Sequence, residues 1–135
     1  MLEDVLKDAR SNKKLKQEDV ANAINVTKQT YLKWENGTTE PKASQIAALA
    51  KVLDITPNEI CGGYLYKRFT LDKFITEVYK SGVTPEMETL KVWNFIANHE
   101  GFIHELNNLD EVDLADEKST YEQRKNINGV NPEEL

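Results

Sequence analysis

The sequence predicts an all-α protein. Apolar residues recur at intervals of three and four along most of residues 1–109, which is the period of an amphipathic helix. Residues that commonly begin or end helices separate these runs, among them Thr27, Asn36 with Gly37, and Thr84 with Pro85. The pattern predicts a helical domain followed by a helical hairpin.

Residues 15–37 are predicted to form two short helices joined by a tight turn. The first helix covers Gln17–Ala23, a run of good helix formers with an apolar face. Asn25 tolerates the left-handed backbone that a sharp turn requires. Thr27 is then a suitable N-cap for a second helix, which the pair Asn36-Gly37 ends.

The second helix has two chemically different faces. Tyr31 and Trp34 lie three residues apart and are expected to enter a core with Val26. The opposite face carries Lys28, Gln29, Leu32, Lys33 and Asn36. Most polar stripes on helices only keep a surface soluble, but the preceding helix and turn favour another interpretation. The DNA major groove admits one α-helix, where amide side chains pair with adenine and Lys donates to guanine.

Four motifs resemble one known family. They are Gln17-x-x-Val20-Ala21, Trp34-Glu35-Asn36-Gly37, the following Pro41, and Ile46-x-x-Leu49-Ala50-x-x-Leu53-x-Ile55. In this order they resemble the helix-turn-helix domain of Cro/C1-type repressors, the XRE family, from about Leu6 to Gly62. The resemblance implies a five-helix, lambda-repressor-like DNA-binding domain over residues 1–66.

The resemblance also implies roles for individual residues. Base reading is expected from the outer face of the second helix, at Lys28, Gln29, Leu32 and Lys33. Phosphate binding is expected at Gln17, Lys16, Asn36, Thr38 and Lys42. Arg10 and Glu35 occupy positions that in some relatives form a buried ion pair, which would tie the first helix of the domain to the reading helix.

Two residues depart from the family pattern. Lys16 stands where relatives usually have Ser or Thr, so the helix beginning at Gln17 is expected to lack a side-chain cap and to present a cation to phosphate. Leu32 stands where relatives commonly have a small or polar residue. It is expected either to touch a thymine methyl group or to pack against a neighbouring side chain.

The charge is distributed unevenly along a chain whose net charge is −6. Residues 1–68 hold eleven Lys or Arg and nine Asp or Glu, a balance of +2, whereas residues 69–135 hold six and fourteen, a balance of −8. The first half can therefore bind an anion although the whole chain is acidic. Its affinity for DNA is expected to be modest and to fall with salt.

Residues 67–109 are predicted to form a helical region for dimerisation or interaction, because a domain this small reads only a short DNA site. An amphipathic helix over residues 71–79 ends at Ser81-Gly82, and Thr84 with Pro85 starts another. The segment between them resembles the hook-shaped pairing segment of the Sin repressors. If so, the residues that pair would be Phe74, Ile75, Val78, Leu90, Trp93 and Ile96. The alternative is that this hairpin completes the core of the first domain.

The sequence makes two predictions about the C-terminal part, each with an alternative. After Gly101, apolar residues at helical spacing predict that the second hairpin helix continues or restarts to about Asn108. Residues 110–135 are predicted to be an acidic, loosely ordered tail. The tail is expected to aid solubility, with competition for the DNA-binding face as the alternative.

The sequence argues against catalytic and metal-dependent classes. His99 and His104 are five residues apart, not the four that a helical zinc-protease motif needs, and Cys61 is the lone cysteine. No metal, cofactor or enzymatic activity is expected. No signal peptide or membrane span is evident, so a cytoplasmic location is expected.

The sequence therefore predicts a sequence-specific transcriptional repressor that binds a palindromic operator as a homodimer. Its partners would be double-stranded DNA and a second copy of the chain. The alternative is a regulator of the antitoxin type, or one controlled by an antagonist, whose hairpin grips a partner protein.

Overall fold

The computed structural model describes residues 1–109 together with residues 115, 116 and 119. Its helices in residues 1–109 are α1 (Leu2–Asn12), α2 (Gln17–Ala23), α3 (Lys28–Glu35), α4 (Ala43–Leu53), α5 (Pro57–Gly62), α6 (Leu71–Lys80), α7 (Pro85–Phe95) and α8 (His99–Asn107). These described residues contain no strand, which confirms the all-α prediction. Apart from those three residues, the predicted acidic tail over residues 110–135 lies outside the described part.

The chain divides into two units. The first covers Met1–Lys67 and contains α1 to α5, whereas the second begins at Arg68 and contains α6 to α8.

The core of the first unit receives side chains from all five of its helices. Helix α1 packs against α3, α4 and α5, while α2 packs against α3 and α4. The buried apolar residues are Val5, Leu6, Ala9, Val20, Ala21, Tyr31, Trp34, Leu49, Ala50, Leu53 and Ile60. Because apolar burial is the main favourable term in folding, this shared core holds α3 in place against α1 and α2.

Left-handed backbone occurs before and after α3, as the sequence predicted. Asn25 has a φ of 58° in the turn between the two helices, and Gly37 has a φ of 71° just after α3. A Cβ atom on Gly37 would lie 3.2 Å from Oε1 of Glu3, so both the backbone conformation and the space favour glycine.

The N-termini of α2 to α8 fall into two groups. Side chains of Thr27, Thr56, Thr70, Thr84 and Asn98 accept a hydrogen bond from the first turns of α3, α5, α6, α7 and α8. Helices α2 and α4 instead begin after Lys16 and Lys42, whose ammonium groups cannot accept such a bond. Their backbone N–H groups donate to Asp19 at 2.8 Å and to Gln45 at 2.7 Å. The expected absence of a side-chain cap at Lys16 is thus confirmed.

Residues 68–109 of the second unit contain three short helices, and none of the residues in these helices is buried. Helix α6 matches the helix predicted over residues 71–79, and Thr84 caps α7 as expected. Helix α8 is a restart, because Ile96 has a ψ of 120° and Asn98 caps the new helix. Isolated helices of 9 to 11 residues are only marginally stable in water, so the apolar faces of these helices need a packing partner.

None of the helices in the described part of the chain is long and apolar enough to cross a membrane.

Candidate DNA-binding surface

Helix α3 presents a polar face to solvent. Tyr31 and Trp34 are buried on one side, with their rings 6.1 Å apart and nearly perpendicular. On the other side, Lys28, Gln29 and Lys33 are exposed, and Leu32 is half-buried among them. The aromatic pair therefore fixes the rotation of α3 about its axis so that three hydrogen-bonding side chains point away from the core.

A buried carboxylate at the end of α3 joins three helices. Glu35 is 1 % exposed. Its Oε1 accepts a hydrogen bond from Nε of Arg10 at 2.6 Å, and its Oε2 accepts bonds from Nη2 of Arg10 at 3.2 Å and from Nε2 of Gln17 at 2.9 Å. Nη1 of Arg10 also donates to the carbonyl of Leu15 at 3.1 Å. The ion pair that the sequence predicted between Arg10 and Glu35 is present. Because Gln17 also donates to Glu35, the hydrogen-bond network includes α2.

The charge state of this network follows from its geometry. Burial by itself favours the neutral acid, but the hydrogen bonds from Arg10 and Gln17 outweigh it and hold the pKa of Glu35 below its ordinary value. The bonds to Glu35 in turn raise the pKa of Arg10. Burial raises the pKa of Tyr31, whose buried hydroxyl lies beside this network but meets no partner in hydrogen-bond geometry. Glu35 and Arg10 are thus ionised at neutral pH and Tyr31 is neutral.

Gln17 has a structural role in addition to the phosphate contact that the sequence predicted. Its amide is engaged with Glu35, although a carboxamide has a second N–H that remains for another acceptor. The signal was present in the sequence. Gln17 precedes Val20 and Ala21 by three and four residues, so it lies on the face of α2 that packs inward.

The other residues assigned to phosphate lie at helix ends or in loops. Lys16 and Lys42 directly precede α2 and α4, and Asn36 follows α3. Asn36, Thr38 and both lysines are exposed, and the backbone N–H of Thr38 donates to the carbonyl of Lys33 at 2.9 Å. Helix N-termini favour anions, so the uncapped starts of α2 and α4 are chemically suited to phosphate.

The second unit exposes the residues that the sequence assigned to pairing. Phe74, Ile75, Leu90 and Trp93 are exposed, while Val78 and Ile96 are half-buried. The α6 members Phe74, Ile75 and Val78 line one open groove, together with Tyr79, Gly82, Val83 and Glu88. Leu90, Trp93 and Ile96 are not part of its lining.

The two histidines are engaged in local contacts. A ring nitrogen of His99, Nε2, lies 2.9 Å from the carbonyl oxygen of Trp93, and the two rings are 5.6 Å apart. The backbone carbonyl of His104 accepts from the side chain of Asn108 at 2.7 Å. Within the part of the chain that the structure describes, no three His, Cys, Asp or Glu side chains are grouped as metal ligands.

Removing Arg10 is expected to destabilise the protein more than removing Glu35. Arg10→Met leaves a buried carboxylate without its cation and should lower the free energy of unfolding by about 3 to 5 kcal/mol. Glu35→Leu should cost less, because the Arg10 side chain is 20 % exposed and can reach water. The double variant should recover most of the loss, as measured by urea unfolding. Losses that add in the double variant would contradict a coupled pair.

The stability of the first unit is expected to depend on pH through Glu35. The folded pKa lies below the ordinary value of 4.5, so the unfolded chain binds more protons as pH falls. The stabilisation should be fully present above about pH 4.5 and lost as pH falls through the folded pKa. Urea unfolding between pH 3 and 7 should show a steeper loss for the wild type than for the Arg10→Met/Glu35→Leu variant. Parallel curves would contradict this assignment.

Comparison with known proteins agrees with this geometry. A helix-turn-helix family model matches residues 6–60. The chain is 40% identical over 60 residues to the cryptic phage CTXphi transcriptional repressor RstR of Vibrio cholerae, an alignment that covers 44% of this chain and 54% of that repressor. The chain thus spans about half the length of this relative.

Comparison with solved structures found a transcriptional regulator from Listeria innocua. It is 20% identical, with a TM-score of 0.44 over 68% of this chain and 85% of that one. The family model falls on the segment that contains α2, α3 and the Glu35 network. Residues 6–60 are therefore similar to helix-turn-helix domains.

Proposed function

We propose that the protein is a transcriptional repressor that binds a palindromic operator as a homodimer. The observation that carries this proposal is the exposed polar face of α3, held on a domain that is 40% identical to a phage repressor. The acting location would be the cytoplasm, where the DNA of a bacterium or phage is found.

The reading residues would be Lys28, Gln29 and Lys33. A helix inserted in the major groove reads bases with side chains that project from one face, and amide and ammonium groups match adenine and guanine edges. The three side chains share an exposed face, and the buried aromatic pair and the Glu35 network prevent α3 from rotating. Half-buried Leu32 would add a contact with a thymine methyl group or support its neighbours.

Phosphate contacts would position this helix in the groove. These residues precede or follow α3 in the sequence and lie at helix ends or in loops. All are exposed except Gln17, which is half-buried. The proposed set is Gln17, Lys16, Asn36, Thr38 and Lys42. Gln17 would act through its second N–H while the first stays on Glu35. Such contacts supply affinity without sequence information, so binding should weaken as salt rises.

A second copy of the chain would cover the apolar surface of the second unit. Specific readers of this kind bind two half-sites about 34 Å apart, which requires two linked domains. Helices α6 and α7 expose Phe74, Ile75, Leu90 and Trp93, and none of their residues is buried. An isologous contact between two such surfaces would give each copy the core that it lacks. The bound dimer would repress by excluding polymerase or a competing regulator.

Base reading is expected to fail selectively in two variants. Lys33→Ala and Gln29→Ala should retain the fold but lose discrimination among sites in a selection from random DNA, because each good base contact contributes about 1 to 3 kcal/mol of discrimination. Lys42→Ala is the matched control. It should weaken binding to all sequences alike and reduce the slope of log K against log salt by about 1. Unchanged specificity in both α3 variants would refute the assignment.

Dimerisation is expected to depend on the second unit. Trp93→Asp or Phe74→Asp should give a monomer in light scattering, because a carboxylate would be buried at the interface without a partner. Phe95→Asp is the control, since this residue is 86% exposed on α7 but outside the proposed pairing set. The fragment 1–66 should also be monomeric.

The outcomes of this experiment separate the two functions that the second unit could serve. A dimeric 1–66 fragment would contradict pairing through α6 and α7. A wild-type chain that is monomeric alone but purifies with a different protein bound to the second unit would favour the antitoxin or antagonist-controlled alternative.

A further inference from the structure

Helices α1, α2 and α4 end in the same backbone motif. At each end, a residue in the left-handed conformation donates its N–H to the carbonyl three residues before it, and the next residue donates to the carbonyl five residues before itself. The left-handed residues are Lys14 after α1, Asn25 after α2 and Asp54 after α4, with φ values of 56°, 58° and 53°. The residues that follow them, Leu15, Val26 and Ile55, pack against the core.

Lys14 is the least favourable of these three residues for a left-handed backbone. Asn25 and Asp54 carry short polar side chains that can bond locally to the backbone, so Asn and Asp visit this conformation more readily than other residues. A lysine side chain has no such compensation. A cation is favoured near the C-terminal end of a helix, but Lys13 already supplies one there with a right-handed φ of −86°. Folding of the free chain therefore gives no reason for a lysine at position 14.

The backbone of Lys14 is held next to the network around Glu35. Leu15 packs against the core, and its carbonyl accepts a hydrogen bond from Nη1 of Arg10 at 3.1 Å. Arg10 and Gln17 both donate to Glu35. Lys14 therefore lies one residue from the point where the end of α1, the start of α2 and the end of α3 are bonded together.

The side chain of Lys14 is available to an external anion. It is exposed, and within the described part of the chain its ammonium group has no hydrogen-bond or ion-pair partner. Lys16, two residues further on, is also exposed. Two residues span at most about 7 Å, and consecutive phosphates of one DNA strand advance by about 3.4 Å along the helix axis. Both ammonium groups can therefore reach phosphates on one stretch of DNA backbone.

We propose that Lys14 binds a DNA phosphate next to the phosphate contacts of Lys16 and Gln17, and that its left-handed backbone lowers the stability of the free protein. This rests on the proposed function, in which the start of α2 lies on the phosphate backbone. Strained backbone is commonly kept where a residue serves a function other than folding. A lysine suits this role because its ammonium group is a point charge on a flexible stem, which binds phosphate without a fixed orientation. Stability and DNA affinity are therefore opposed at this position.

The substitution Lys14→Gly tests this opposition. Glycine adopts the left-handed conformation without strain, so the melting temperature of the full-length protein should rise by about 2 to 5 °C. Loss of one phosphate contact should weaken binding to duplex DNA about three- to tenfold at roughly 0.1 M salt and reduce the slope of log K against log salt by about 0.9. The probe is a duplex of random sequence, because phosphate contacts carry no sequence information.

Asp54→Gly is the matched control. It makes the same change at the same position of the motif after α4, so the melting temperature should again not fall, whereas the affinity should stay within about twofold of the wild type and the salt slope should not change. Lys14→Arg keeps a cation at the strained position and should bind DNA like the wild type. Lys14→Asn removes the charge but tolerates the left-handed backbone, so it should repeat the loss of affinity and replaces Lys14→Gly if that variant does not fold.

Several outcomes would overturn the proposal. Wild-type affinity and salt slope in Lys14→Gly and Lys14→Asn would do so, as would a Lys14→Arg variant that binds as weakly as these two, because the charge would then not matter. A lower melting temperature in Lys14→Gly would contradict the cost in stability. Failure of the proposed function gives a different result, since Gln29→Ala and Lys33→Ala would then keep the specificity of the wild type while Lys14→Gly still reduced the salt slope. A wild type that binds no duplex at low salt would contradict both.

Discussion

The buried carboxylate of Glu35 constrains the whole first unit. It can stay ionised and out of water only while Arg10 on α1 and Gln17 on α2 donate to it, so three helices must keep one mutual geometry. The aromatic pair of Tyr31 and Trp34 fixes α3 from its apolar side, and Glu35 fixes it from its C-terminal end. If α3 reads DNA as proposed, a helix held in this way would lose little further freedom on binding, which favours affinity and specificity together.

Gln17 connects this scaffold to the proposed phosphate contacts. One residue at the start of α2 donates to a structural carboxylate, and its second amide N–H would be the donor to DNA phosphate in the proposed complex. The position of α2 on the phosphate backbone would therefore be coupled directly to the position of α3 in the groove. Glu59 makes a comparable link elsewhere. It accepts hydrogen bonds from the backbone N–H groups of Thr56, at the start of α5, and of Tyr66, after its end. In both cases a buried carboxylate ties together segments that are distant in sequence.

Much of the local structure was predictable because it depends on neighbouring residues. Thr27, Thr84 and Asn25 act through bonds or backbone conformations within three or four residues, and the structure has them as expected. The role of Gln17 at Glu35 was missed, although its place on the inward face of α2 could have indicated it. The contact between Glu59 and the backbone N–H of Tyr66 could not be predicted from local pattern, because Tyr66 lies beyond the end of α5.

The sequence by itself determined the helices, their caps and turns, and the polar face of α3, since helical periodicity and capping chemistry are short-range properties. The motifs around Gln17 and Trp34 also carried the resemblance to helix-turn-helix domains, and a helix-turn-helix family model matches residues 6–60. Only the tertiary structure decided which buried groups share a hydrogen-bond partner and where the first unit ends. Those outcomes depend on distances between segments brought together by packing of the core, and a linear pattern does not contain these distances.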